Sequence, residues 1–239
     1  MTPININRYR LSRVVWDSLL DHASQYDAHK AFLRDAMIRH EDFRKDADYN
    51  TGSIPFSSAW CNFAINNYFN PDVIAEVGTF IGKSTVSLAY GMFRASQRDV
   101  VPTQKVIYTC DVSNDIDIGK TAWQVHIEQY KKKNSFEMFG DMHQKNVHAD
   151  IVSIDGRLGA SDFEVLFNVT TERTIFLLDD FEGTEKGVAN AFNLLQHPNL
   201  RTYTLIYPPE RDILMKHGLT EPCFTAMLVP LPIIEFHNQ

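Results

Sequence analysis

EVGTFIGKST, residues 76–85, ends the apolar run DVIAEV (72–77) and opens a segment with helical periodicity. A Gly-Lys-Ser-Thr tetrad after a strand is how a phosphate-binding P-loop ends, so the first question is whether this loop holds a phosphate. The pattern GxxxxGK[ST] needs four residues between its glycines, enough to wrap backbone N–H groups around a phosphate and aim the lysine at it. Only Thr79, Phe80 and Ile81 separate Gly78 from Gly82, and two of them are bulky. Nor does the stretch fit GxGxxG, since the position of close pyrophosphate approach is Phe80. Glu76, directly ahead of the loop, would repel phosphates. A ligand with a cationic end suits this loop better.

Outward from the loop, apolar runs alternate with helical ones. Strands are expected at 72–77, 105–110, 135–139, 149–154, 174–178, 201–207 and 224–230, with helices at 83–94, 120–133, 160–168 and 185–196. Continuous apolar strands separated by such helices build βαβ units and a parallel sheet covered on both faces. The last two strands lack a clear helix between them and are expected to pair antiparallel at an edge. Residues 1–50 form an N-terminal helical extension with the stripes Val14, Val15, Leu19, Leu20 and Phe32, Leu33, Met37, Ile38. Residues 51–239 form the main domain, beginning with another helix at Phe56–Tyr68.

Ligands of such sheets bind at the carboxyl ends of the strands. Those ends are acidic: Glu76, Asp111, Asp141 after the expected third strand, Asp155, and the pair Asp179-Asp180. Glu76 suits an ammonium group through water, Gly78 allows close backbone approach, and the helix N-terminus from Lys83 or Ser84 suits a carboxylate. Asp111 is placed for two ribose hydroxyls, and Asp141 or the Met142 backbone for an adenine edge. Together these describe S-adenosylmethionine.

EVGTFIGKSTVSLA followed in order by CDVSND, FGDM, ADIVSIDG and IFLLDDFEGTEKGV resembles the class I S-adenosylmethionine-dependent methyltransferases, in particular their small-molecule O-methyltransferase branch, over about residues 51–196. The resemblance implies an α/β fold, a doubly wound seven-stranded, mostly parallel Rossmann-like sheet with a reversed last strand. It also implies that Glu76, Gly78, Thr79, Ser84, Asp111, Asp141 and Asp155 line the cofactor pocket. Lys83 is then an ordinary first-turn residue.

Asp155, Asp179 and Asp180 on adjacent strand ends offer three oxygen donors, which suits Mg2+ or another hard divalent ion chelating a hydroxylated acceptor. The pattern IDG, then DD[FY] and a downstream Gly-x-x-x-A, is similar to metal-dependent O-methyltransferases acting on sugars of natural products, in which these aspartates are ligands. Where those enzymes have an Asp or His base shortly after the first aspartate, this chain has Arg157 and Leu158, and a guanidinium is no base. The candidate bases are therefore Asp155, His143 and Asp180. Arg157 is a candidate for binding an anionic acceptor, and the loop carrying Thr51 and Ser53 for shaping its pocket. A metal-dependent enzyme, a metal-free one, and an ion-pair network of Asp155, Asp179 and Arg157 all remain open.

Composition narrows the rest. A net charge of -7 and a lone Lys131-Lys132-Lys133 cluster argue against a nucleic-acid partner. Cys61, Cys110 and Cys223 form no CxxC pair. MTPININRYR lacks an apolar signal core and no run of about 18 apolar residues occurs, so a soluble cytoplasmic protein without a membrane partner is expected. The partner is a small-molecule substrate, and a homodimer would cover the stripes of the extension, although these equally suit the chain's own sheet. The alternatives are a catalytically inactive methyltransferase-like binding module and a nucleotide-dependent enzyme of another class.

Overall fold

The computed structural model describes residues 8–48, 52–101, 103–113, 115–118 and 125–231. Seven strands form one sheet: β1 (Val73–Val77), β2 (Lys105–Asp111), β3 (Val125–Lys131), β4 (Ala149–Ile154), β5 (Thr170–Leu178), β6 (Tyr203–Ile206) and β7 (Ala226–Pro230). Their order is β3-β2-β1-β4-β5-β7-β6, with β7 antiparallel to both neighbours and β1 to β5 mutually parallel. The expected doubly wound, mostly parallel sheet with a reversed last strand is therefore the fold. Among the described residues no helix is long and apolar enough to cross a membrane.

The sheet separates two apolar layers, as the period-2 alternation of strand side chains requires. On one face Ile74, Ile107, Ile151 and Met227 pack with α1 (Arg8–Ser24), α2 (Lys30–Glu41), α3 (Phe56–Phe69) and α4 (Lys83–Ser96). On the other, Ala75, Val152, Phe176 and Leu228 pack with α5 (Ser135–Gln144), α6 (Ala160–Leu166) and α7 (Lys186–Leu195). A short α8 (Arg211–Lys216) joins β6 to β7, where the sequence reads only as a turn.

Two elements differ from the sequence reading. Residues 125–131 are a strand rather than part of a helix, and SFEMF starts a helix rather than forming the third strand. The deciding signal is a capping box: the Asn134 side chain accepts from the Glu137 N–H at 2.9 Å, and the Glu137 carboxylate accepts from the Asn134 N–H at 3.0 Å. Met138, Phe139 and Met142 then recur at helical spacing and are buried. A five-residue apolar run alone does not distinguish strand from helix.

The N-terminal extension is continuous with the core. Trp16, Leu20 and Leu33 are fully buried in the layer that holds α3, while Val14 and Ile38 of the same stripes stay exposed. Trp16 Nε1 donates to the Tyr207 carbonyl at 2.7 Å, and Ser12 Oγ accepts from the Tyr207 N–H at 2.9 Å, fastening α1 to the end of β6. Trp16→Ala removes a fully buried indole and strips that carbonyl of its donor. It is expected to destabilise the chain by about 3–5 kcal/mol, read as a drop in the urea midpoint without a change in slope.

Candidate active site

The strand order reverses between β1 and β4, so the crevice opens at the carboxyl ends of these two strands. There the Asp155 N–H donates to the Val77 carbonyl at 2.8 Å, and the Asp179 N–H to the Ile154 carbonyl at 3.1 Å. This ladder sets Gly78, Asp155 and Asp179 side by side. Gly78 has φ 100°, and a Cβ on it would stand 3.2 Å from the Asp155 backbone. Only glycine fits such a close approach in that conformation.

Two pockets meet at this point. The first, of about 420 Å³, is lined by Val77, Gly78, Asp111, Ser113, Asn134, Ser135, Asp155, Arg157 and Asp162 among others. The second, of about 400 Å³, is lined by Ser53, Ser58, Gly78, Phe80, Asp155, Asp179, Asp180, Glu182, Lys186 and Phe224 among others. Gly78 and Asp155 belong to both.

Of the expected cofactor residues, Gly78, Asp111 and Asp155 line the first pocket, and Arg157 joins them there. Asp111 accepts from the Phe80 N–H and the Ser113 N–H, both at 2.8 Å, one on each carboxylate oxygen. Glu76, Thr79 and Ser84 lie behind the loop instead. Glu76 is buried and accepts from Thr85 at 2.5 Å and from Thr109 at 2.7 Å, and Ser84 is buried too. Thr79 Oγ1 is 2.6 Å from Thr109 Oγ1.

Asp141 and His143 are corrected by the helical state of 135–144. Asp141 is bound by the Tyr130 hydroxyl and by Lys145 at 2.7 Å, and His143 is exposed on the last turn of α5. Neither lines either of these two pockets. Asn134, Ser135 and Asp162 form one wall of the first pocket, where the Asp162 carboxylate accepts from Ser135 Oγ at 2.8 Å and from the Gly159 N–H at 2.6 Å. The capping box at Asn134 was the sequence signal for this wall.

Ser53 lines the second pocket, where its hydroxyl accepts from Arg44 at 3.0 Å; Thr51 lies outside the described residues. Arg44 also pairs with Glu41, which in turn holds Lys83. Lys83 is therefore no free first-turn residue but an ion-paired link between α4 and α2.

Asp155, Asp179 and Asp180 do converge, with one oxygen of each within 4.8 Å of the others. Their basic partner is Lys186 rather than Arg157: its Nζ is 2.5 Å from Asp155 Oδ1 and 3.0 Å from Asp180 Oδ2. Asp179 accepts from Thr225 Oγ1 at 2.9 Å. Burial, then the Asp179 charge, pushes Asp155 up to about 7 against the pull of Lys186, and burial raises Asp179 as well. Lys186 is raised too, which is consistent, because one ammonium faces more negative charge than it can neutralise. The Asp155 side chain keeps 27% exposure, so water takes up part of this cost.

No protein-family model and no curated protein matches the sequence. Solved structures do share the fold. An O-methyltransferase from Bacillus cereus in complex with S-adenosylhomocysteine aligns with TM-score 0.57 at 13% identity, covering 83% of this chain and 90% of that one. A methyltransferase from Podospora anserina bound to S-adenosylhomocysteine aligns with TM-score 0.54 at 12% identity, over 86% and 95% of the two chains. The Streptomyces achromogenes O-methyltransferase TomG of tomaymycin synthesis, in complex with S-adenosylmethionine, gives TM-score 0.51 at 15% identity, over 83% and 89%.

A carboxyl group raised above its unfolded value stabilises the fold fully below that value and loses the contribution as pH climbs through the folded one. For Asp155 the window runs from about 3.8 to about 7. Thermal melts of the ligand-free protein should therefore fall between pH 5.5 and pH 8 by about 2–5 °C more in the wild type than in Asp155→Asn. Parallel slopes for the two proteins would refute the assignment.

Proposed function

We propose that this chain is an S-adenosylmethionine-dependent methyltransferase that methylates a hydroxyl oxygen of a small molecule. The observation that carries this reading is the pair of pockets sharing Gly78 and Asp155. A two-substrate transfer needs two sites that touch at the reacting atoms, and holding both partners there supplies much of the rate enhancement. The shared fold of methyltransferases crystallised with this cofactor or its product supports the first pocket as the cofactor site.

The residues present fit that cofactor. The Asp111 carboxylate lines the first pocket at the end of β2, a group suited to neighbouring ribose hydroxyls, and Gly78 puts no side chain between a ligand and the backbone. Glu76 Oε1 is buried without a partner, which suits a water-bridged link to an ammonium group. The cofactor supplies a methyl group activated by its attachment to a positively charged sulfur. Asp155, at the seam, is placed to take the acceptor's proton, and a carboxyl group titrating near 7 serves as a base at neutral pH. The acceptor oxygen gains the methyl group while the electron pair of the broken C–S bond stays on sulfur.

The second pocket bears on substrate class. Four carboxylates line it against one lysine, Lys186, so it favours neutral or cationic acceptors over carboxylates and phosphates. Arg157, the candidate for an anionic acceptor, lines the cofactor pocket instead. The P-loop alternative loses its central residue, since Lys83 is held by Glu41.

Isothermal titration tests the reading. Wild-type protein should bind S-adenosylhomocysteine, and Asp111→Ala should weaken that binding by on the order of 30-fold or more, the loss of charge-assisted hydrogen bonds worth about 2 kcal/mol or above. Unchanged affinity in the variant, or heat only with ATP, would reject it.

A further inference from the structure

We infer that Lys186 is the built-in cation of the acidic pocket, occupying the place where a divalent metal would bridge Asp155, Asp179 and Asp180. The distances carry the argument. Lys186 Nζ already bonds Asp155 Oδ1 at 2.5 Å and Asp180 Oδ2 at 3.0 Å, the same two carboxylates that a metal would have to use. A magnesium ion sits about 2.1 Å from its oxygen ligands. Bound to these carboxylates, it would crowd the ammonium nitrogen, with like charges at contact distance. The three aspartates therefore do not fit a metal while Lys186 stays.

The helix that carries Lys186 keeps it there. It is the first residue of α7, and a cation at a helix N-terminus opposes the helix dipole. The acidic cluster reverses that penalty. The next residue, Gly187, packs so tightly on the end of β5 that a Cβ would overlap the Asp179 carbonyl oxygen. The start of α7 is thus clamped against the strand that supplies Asp179 and Asp180, and the Lys186 side chain, 25% exposed, lines the pocket from that anchor.

The arrangement also gives Lys186 a role in the reaction, one that rests on the methyltransferase reading. An ammonium has three N–H donors. Two are used on Asp155 and Asp180, and the third faces no protein acceptor among the described residues. Lys186 donates it to the acceptor oxygen, holding that oxygen beside Asp155 as a metal would and steadying the charge that develops when its proton leaves. Transfer then requires no divalent ion.

The test is Mn2+ binding followed by electron paramagnetic resonance on EDTA-treated protein, using wild type, Lys186→Met and Lys186→Arg. Wild type and Lys186→Arg should leave the free-ion spectrum intact, and Lys186→Met should bind Mn2+ roughly 10–100-fold more tightly, an effect abolished by adding Asp155→Asn. Wild type binding Mn2+ as tightly as Lys186→Met overturns the inference, and so does a folded Lys186→Met that binds none. Lys186→Gln provides the same comparison if the methionine variant does not fold. S-adenosylhomocysteine binding, measured on the wild-type sample alone, tests the methyltransferase reading separately. A wild type without that affinity would fail the methyltransferase reading and leave the Mn2+ comparison to decide the identity of the cation.

Discussion

The Glu76 carboxylate, buried at the end of β1, accepts hydroxyl protons from Thr85 on α4 and Thr109 on β2. One group thus ties the central strand, its neighbour and the following helix together below the loop 78–82. The loop is in turn held from β2: the Gly78 and Thr79 N–H groups donate to the Cys110 carbonyl at 2.9 and 3.2 Å, and the Phe80 N–H to Asp111 at 2.8 Å. Its positive φ angles at Gly78, Phe80 and Gly82 are the turn this anchoring imposes. Three successive backbone donors that a phosphate loop would offer to its ligand are already bound to protein. Burial pushes Glu76 up, and its second oxygen lacks a partner, so the group is one proton or one ammonium short of satisfaction.

Strand-end chemistry was legible in the sequence because it depends on chain direction and alternation alone. Glu76, Asp111, Asp155 and Asp179-Asp180 each follow a short, mostly apolar run rich in β-branched residues, and the structure sets them at the ends of β1, β2, β4 and β5. The stretch 125–144 was not legible in this way. VHIEQYK is a strand with an exposed histidine and mixed polarity, and it gains its place by pairing with β2 from Lys105↔Val125 to Asp111↔Lys131, a long-range contact that no local pattern encodes. SFEMF is apolar enough for a strand but follows Asn134, and the cap decides. Misreading these two segments put Asp141 and His143 beyond a strand end rather than on α5, and concealed the pocket-lining Asn134, Ser135 and Asp162.

Lys186 was invisible for a different reason. In GTEKGVANAF it reads as an ordinary charged residue at a helix start, and the acids it meets lie 31 and 6 positions upstream, at Asp155 and Asp180. Charge clusters assembled by topology bring together residues whose local contexts are each unremarkable. The same holds for the N-terminal helices: Glu41 and Arg44 reach across to Lys83 and Ser53, so a segment read as an extension covers the loop and borders the second pocket.

The seam at Gly78 and Asp155 shows why these details combine into one constraint. A side chain at position 78 would fill the opening between the pockets, and displacing Asp155 would break the hydrogen bond of its N–H to Val77 that holds β1 and β4 in register. Asp155 must therefore stay buried in an acidic setting that raises its proton affinity. Without Lys186, that setting would leave a group of mutually repelling carboxylates stripped of the ion pairs it makes to Asp155 and Asp180. The lysine makes the acidic cluster compatible with the fold, and it opposes the rise that burial and the Asp179 charge impose on Asp155. The seam between the pockets and the acidic cluster thus share one counter-ion, the Lys186 ammonium.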